Sequence, residues 1–251
     1  MDSLEIKKEL EMDYLQLVEH LKKKYGEVQG DYFINETCST ANSKIKRTKE
    51  GLIIHHIDED KTIDLNDKER ARNNPFEYQK ADRLVYCNIL EHLILHIKIA
   101  ETPNVIQISK KEILGVGGIE NHIVPDINAY FNGYPFKKYK KDLMPLIDEN
   151  FGDYVDVLLY YINVINSNKD LIKLGYANIN NLTQCVDGSC FQDLYDALTG
   201  NADEIKAKTE MERQIKIARQ ELQCDEFGTS YCLDCCDCEN SDCQMWKGNI
   251  F

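Results

Sequence analysis

Two stretches decide how this chain is read: Gly51-Leu52-Ile53-Ile54-His55-His56-Ile57, and further on Asp82-Arg83-Leu84-Val85-Tyr86-Cys87 leading into a segment that carries His92 and His96. The first is apolar and β-branched and predicts a short buried strand over Gly51–Ile57; Leu84-Val85-Tyr86 predicts a second brief strand. From Cys87 to Ile99 the pattern becomes helical, with Ile89, Leu90, Leu93, Ile94 and Ile97 covering a wide apolar face. The expected local architecture is a small ββα unit.

Four of the six histidines fall within that unit. His92 and His96 are spaced i, i+4, so a helix places them on one face, one turn apart. Two imidazoles so placed can grip one cation, and a third from a neighbouring strand completes a three-ligand site with room for substrate. Adjacent strand residues point to opposite faces. One of His55 and His56 can therefore face a metal while the other faces a water or a phosphate. Such a pair divides the work of phosphodiester hydrolysis between a Lewis acid and a neutral imidazole base. The competing reading of each pair alone is packing plus a hydrogen bond. The conjunction of strand, His-His, strand and His-x-x-x-His favours the metal.

Working outward, residues 3–25 repeat apolar positions at helical spacing (Leu4, Leu10, Tyr14, Leu15, Val18, Leu21) and stop at Gly26. Residues 27–50 look irregular and contain the basic patch Lys44-Ile45-Lys46-Arg47-Thr48-Lys49, and a polar loop is expected over roughly 58–75. Residues 102–141 read as loop-rich, 142–167 as a long helix or helix pair, and 190–223 as a mostly polar helix. The expected fold class is α+β, predominantly helical. Its segments are 1–49 (N-terminal helix and basic linker), 50–101 (the ββα unit), 102–223 (a mostly helical domain for positioning or recognition) and 224–251 (a Cys-rich tail).

The formal net charge is −13, which disfavours a general nucleic-acid binder. Between Lys44 and Lys98, however, 11 basic side chains meet 10 acidic ones, so a local phosphate site remains compatible with the charge. No apolar run approaches the ~20 residues of a membrane helix. The charged, amphipathic start lacks the apolar core of a signal peptide, so a cytoplasmic protein is expected.

Six of ten cysteines lie in the last 28 residues. Cys232, Cys235, Cys238 and Cys243 offer thiolates at metal-ligand spacings, pointing to a structural Zn²⁺ that Cys185 and Cys190 could supplement. A cysteine-rich terminus with free thiols is the equal alternative, and an iron–sulfur cluster a distant one. Gly115-Val116-Gly117-Gly118 lacks the Lys-Ser/Thr of a phosphate loop and reads as a turn. The run Lys137–Lys141, interleaved with Tyr134, Phe136 and Tyr139, reads as a solvated face before a DNA contact. His20 and His122 are isolated and read as structural or surface residues.

The residues from Gly51 to His96 resemble the HNH, or ββα-metal, endonuclease family, over roughly residues 50–100. That resemblance implies that His55 is a metal ligand, His56 the general base, and His92 and His96 the two helix ligands, as in the His-rich branch that includes the colicin nucleases. Two departures stand out. The loop after His56 is longer than the common pattern, and Arg83 stands where the family's middle Asn is expected, leaving Asp82 or Asn88 to orient His56. Arg47 or Arg83 is a candidate for a phosphate contact, since arginine binds phosphate through two parallel N–H bonds, with a solvated surface arginine the equal alternative for each. Three imidazoles favour Zn²⁺, Ni²⁺ or Mn²⁺ over Mg²⁺ by softness; the resemblance keeps Mg²⁺ open. The resemblance also implies double-stranded DNA as substrate, with a place in restriction, antiphage defence or a phage or mobile element. A second function class is a non-catalytic, metal-stapled regulatory module binding DNA or protein, and a third is RNA cleavage. An oligomer or a protein partner is compatible with either.

Overall fold

A computed structural model describes residues 3–102, 113–133, 142–168, 176–185 and 188–200. The fold is mixed but largely helical, with one small two-stranded antiparallel sheet, an α+β arrangement. The expected N-terminal helix is broken in two, α1 (Ser3–Glu11) and α2 (Tyr14–Tyr25). The break is at Asp13, whose side chain accepts from the Gln16 N–H while the Gln16 side chain accepts from the Asp13 N–H. This reciprocal cap starts a new helix where periodicity alone runs straight through.

Strands β1 (Ile53–His56) and β2 (Leu84–Cys87) pair in the register Ile53↔Cys87, Ile54↔Tyr86, His55↔Val85 and His56↔Leu84. Alternation along the strands sorts the side chains between two cores. Ile53, Val85 and Cys87 belong to the main core, whereas Ile54, Leu84 and Tyr86 join Val28, Ile45 and Leu52 on the opposite face. His55 is thereby directed to the main-core side and His56 to the other. The long connection from β1 to β2 is not featureless: it holds a 3₁₀ turn at Ile57–Asp60 and the short helix α3 (Lys68–Arg72).

Helix α4 (Ile89–Glu101) follows β2 directly. Asn88 caps it, accepting from the Leu90 and Glu91 N–H groups, and the Glu91 carboxylate returns to accept from the Asn88 N–H. Nearly every α4 side chain is buried, because α1, α2, β1, β2 and later helices all pack on it. The main core draws residues from Ile6 to Ala197.

Residues 116–131, expected as loop, are helical instead: α5 (Val116–Gly118), a π turn at Ile119–Ile123, then α6 (Val124–Phe131). Pro125 sits in the first turn of α6, where its missing N–H is tolerated. The remaining described helices are α7 (Phe151–Asn166), α8 (Ile179–Leu182) and α9 (Gln192–Thr199). Among the described residues no helix is long and apolar enough to cross a membrane.

Candidate metal centre

Helix α4 presents His92 and His96 to the end of β1, and the 3₁₀ turn after β1 brings Glu59 back over His55. The ring centroids of His55 lie 5.3 Å from His92 and 5.2 Å from His96, and those of His92 and His96 are 4.6 Å apart. One donor atom from each of His55, Glu59, His92 and His96 lies within 4.8 Å of all the others. The approaching atoms are His92 Nε2 and His96 Nε2 (3.1 Å), His96 Nε2 and Glu59 Oε2 (3.4 Å), and His55 Nδ1 and Glu59 Oε2 (3.5 Å).

These spacings fit a cation. Tetrahedral ligands held about 2.1 Å from a zinc-like ion stand roughly 3.4 Å from one another. The tautomer of His55 fits as well. Tyr14 Oη–H donates to the Ile57 carbonyl (2.8 Å), so the same oxygen accepts from His55 Nε2–H (2.9 Å). The lone pair of His55 is thereby left on Nδ1, buried, without a hydrogen-bond partner, and facing Glu59. A ligand imidazole whose other nitrogen is fixed by a second group is the usual arrangement around a metal.

Electrostatics agree with neutral ligand rings. Burial, and then the charges of His96 and His92, hold His55 well below the usual histidine range. His92 is depressed in the same way by burial and His96. Burial brings His96 down to about 4, with the Gly115 backbone opposing. Burial first, then Asp64, pushes the Glu59 carboxyl up to about 8. A divalent ion would compensate each of these desolvated groups.

The glycine run holds the wall behind His96. A Cβ at Gly118 would stand 2.6 Å from both Cε1 and Nδ1 of His96, and one at Gly115, whose φ is +83°, would stand 2.4 Å from the His96 carbonyl oxygen. Only glycine permits that approach. The stretch therefore acts by closeness to the cluster, a role that its weak likeness to a phosphate loop did not suggest.

His56 lies outside the four-residue cluster. On the opposite strand face, it sits against Tyr32, with ring centroids 4.5 Å apart. Gln79 Nε2 donates to the Leu65 carbonyl (3.1 Å), which turns Gln79 Oε1 to accept from His56 Nε2–H (3.0 Å). His56 Nδ1 carries the lone pair and is 3.9 Å from Glu59 Oε1. The one carboxylate thus reaches toward the cluster with one oxygen and toward His56 with the other. Burial lowers His56 to about 4, against the opposing Gln79 bond and Asp58 charge.

Other expected residues are placed elsewhere. Arg83 is paired with Asp58: its Nε and Nη2 are 2.7 Å and 2.5 Å from that buried carboxylate, which Lys61 also meets. Arg47 is bound to Glu50 and the Tyr25 carbonyl and lies over the Tyr86 ring. Asn88 caps α4 and Asp82 is exposed; Gln79 is the group that holds His56. Arg70, which the sequence reading passed over, lines a cleft of about 290 Å³ that reaches Glu59 and His96. A larger, shallower depression on α2, about 530 Å³, is not lined by any of the four cluster side chains. Cys185 is buried, where its sulfur accepts from Asn132 Nδ2–H, and Cys190 is exposed. Cys232, Cys235, Cys238 and Cys243, like Lys137–Lys141, lie outside the described residues.

Glu59, Gln79 and Tyr14 are the residues that sequence reasoning missed. Glu59 alone left a trace: it falls four residues after His55, inside the acidic run Asp58-Glu59-Asp60. Comparison of the chain with protein-family models, curated proteins and solved structures returned no match.

Proposed function

We propose that this protein is a single-metal DNA endonuclease, with His55, His92, His96 and Glu59 as the ligands and His56 as the general base. The observation that carries the reading is the joint geometry. Three imidazoles and a carboxylate close on one point, and a fourth imidazole has its lone pair beside the same carboxylate.

The chain's own residues divide the work as follows. A backbone phosphate enters the cleft bordered by Glu59 and His96, where exposed Arg70 pairs with its non-bridging oxygens. Glu59 would hold the ion with one oxygen, and its other oxygen, 3.9 Å from His56 Nδ1, borders the space that the attacking water needs. His56, neutral and fixed by Gln79, takes a proton at Nδ1 from the attacking water. The water oxygen bonds to phosphorus as the bond to the leaving oxygen breaks, and that oxygen is protonated from solvent. When bound, a divalent ion supplies Lewis-acid stabilisation of the charge that develops on the phosphate and leaving oxygen. Three imidazoles and one carboxylate suit Zn²⁺, Mn²⁺ or Ni²⁺ better than Mg²⁺.

A second reading is a structural metal staple in a regulatory binding protein. It is favoured by the depth of the cluster, since His55 and His56 are each 1% exposed. One experiment separates the two. Supercoiled plasmid and a structured RNA are incubated with the protein plus Mn²⁺, Ni²⁺, Zn²⁺ or Mg²⁺, alongside His56→Ala, and bound metal is measured in parallel. The nuclease reading expects plasmid nicking that His56→Ala abolishes while metal content stays the same. Bound metal without cleavage under any ion assigns the staple, and cleavage confined to RNA changes the substrate.

A further inference from the structure

A second constellation of donor groups lies at the corner between α1 and α2. Glu5 and Glu9 are spaced i, i+4 and share one face of α1, and His20 of α2 faces them. We propose that Glu5, Glu9 and His20 form a separate divalent-cation site that ties α1 to α2.

The first argument is the state of Glu9. Its side chain is fully buried, yet neither carboxylate oxygen has a hydrogen-bond partner, and neither has His20 Nε2. Burial first, then the Glu91 charge, pushes the Glu9 carboxyl up to about 8, and a cation aimed at these partnerless oxygens would offset the cost of ionising them. The second argument is distance. His20 Nε2 is 3.4 Å from Glu9 Oε1 and 3.8 Å from Glu5 Oε1, and the three donor atoms all lie within 4.8 Å of one another. Ligands about 2.1 Å from a shared ion stand roughly 3.0–3.4 Å apart, so a contraction of a few tenths of an ångström closes the site.

Lys24 is the competing cation, and its geometry leaves Glu9 underserved. Its Nζ is 2.7 Å from Glu5 Oε1 and 2.7 Å from Glu91 Oε1, but 3.6 Å from Glu9 Oε1. One ammonium thus serves three carboxylates, and a divalent ion restores the balance of charge. Glu91 is independently satisfied by Tyr25 Oη–H (2.9 Å) and the Asn88 N–H (2.7 Å), so the surplus falls on Glu5 and Glu9. Glu5 and His20 remain 30% and 24% exposed, which gives an ion a path in and leaves room for water in its shell. His20 also lines the shallow depression on α2. One imidazole with two carboxylates suits a first-row divalent ion such as zinc or manganese, not a thiolate-seeking one. Bound there, the ion would fasten α1 to α2, the helix whose Tyr14 fixes His55.

The test counts metal in the full-length protein. Wild type, His20→Gln, Glu9→Gln, His92→Gln and the His20→Gln/His92→Gln double variant are equilibrated with zinc, freed of excess, and assayed for zinc per chain. Every variant keeps all ten cysteines, so differences between variants report only the substituted site. Loss of one equivalent in His20→Gln and in Glu9→Gln, a separate equivalent in His92→Gln and two in the double variant supports the proposal. Zinc would then raise the melting temperature of wild type more than that of His20→Gln. Wild-type zinc content in both His20→Gln and Glu9→Gln overturns it and assigns the cluster to a metal-free contact between His20 and Glu9. Should Glu9→Gln fail to fold, the partly exposed His20→Gln decides alone.

Discussion

Replacing Tyr14 by phenylalanine removes one oxygen from the interior and tests whether the tautomer of His55 matters to the metal. That oxygen takes part in two bonds, donating to the Ile57 carbonyl at 2.8 Å and accepting from His55 Nε2–H at 2.9 Å. Both partners are buried, so neither gains water when the hydroxyl is lost. A net hydrogen bond contributes ~0.5–1.5 kcal/mol and a stranded buried group costs ~1–3 kcal/mol, so the variant loses roughly 1–3 kcal/mol of stability. In a chain of this size each kcal/mol corresponds to about 2–4 °C in melting temperature. The second effect is on the metal. Once Nε2 loses its acceptor, the His55 proton can move to Nδ1 and block the ligand position, and affinity falls about 10–100-fold, as for other residues that orient metal ligands. Competition with a fluorescent zinc chelator measures this directly. Tyr161→Phe, which removes a bond to Glu120 and none to the four cluster side chains, serves as the control: it should lower stability and leave affinity unchanged. If Tyr14→Phe loses stability and binds zinc like wild type, Tyr14 does not position His55 and the tautomer argument is wrong.

Three further substitutions probe different parts of the account. Gly118→Ala drives a methyl group into the His96 ring, where its Cβ would stand 2.6 Å from Nδ1. It is expected to cost about 1–3 kcal/mol and to weaken metal binding, as read by thermal melts and chelator competition. Gln79→Leu keeps the bulk beside His56 but removes its acceptor. Plasmid cleavage should fall at least tenfold while zinc content stays at the wild-type level; equal loss of both would make Gln79 a folding residue only. Glu120→Gln addresses pH. Burial raises the Glu120 carboxyl above its ordinary value, so ionising it at neutral pH opposes folding, and its contribution is most favourable below the unfolded pKa. Glutamine can still accept from Tyr161 Oη–H and the Ala177 N–H at Oε1. The variant should therefore melt higher than wild type at pH 7, with the difference closing toward pH 4.

The ββα unit was legible because its signals are local. β-branched runs gave β1 and β2, 3.6-residue periodicity gave α4, and i, i+4 spacing put His92 and His96 on one face. Strand alternation separated His55 from His56, although the side each would face depends on which core each strand face meets. What escaped the sequence is what depends on contacts between distant segments. Tyr14 lies 41 residues before His55, and Gln79 lies 23 residues after His56 in a stretch without periodicity. Glu59 reaches the cluster only because a 3₁₀ turn follows β1, a geometry that the acidic run does not encode. Arg47 and Arg83 flank the motif in sequence, and their pairing with Glu50 and Asp58 is a contact that spacing alone does not announce. Gly115–Gly118 reads as a turn, and 102–141 as loop-rich, because glycine flexibility and a missing proline N–H usually end helices. Here the glycines allow close approach to α4, and the proline begins a helix after a π turn.

Anomalous diffraction from crystals of the full-length chain equilibrated with Mn²⁺ or Zn²⁺ tests the four-ligand centre most directly. The account predicts a peak about 2.0–2.2 Å from His55 Nδ1, His92 Nε2, His96 Nε2 and Glu59 Oε2 together. A map with no peak among them, and His92 Nε2 still hydrogen-bonded to His96 Nε2, would contradict it.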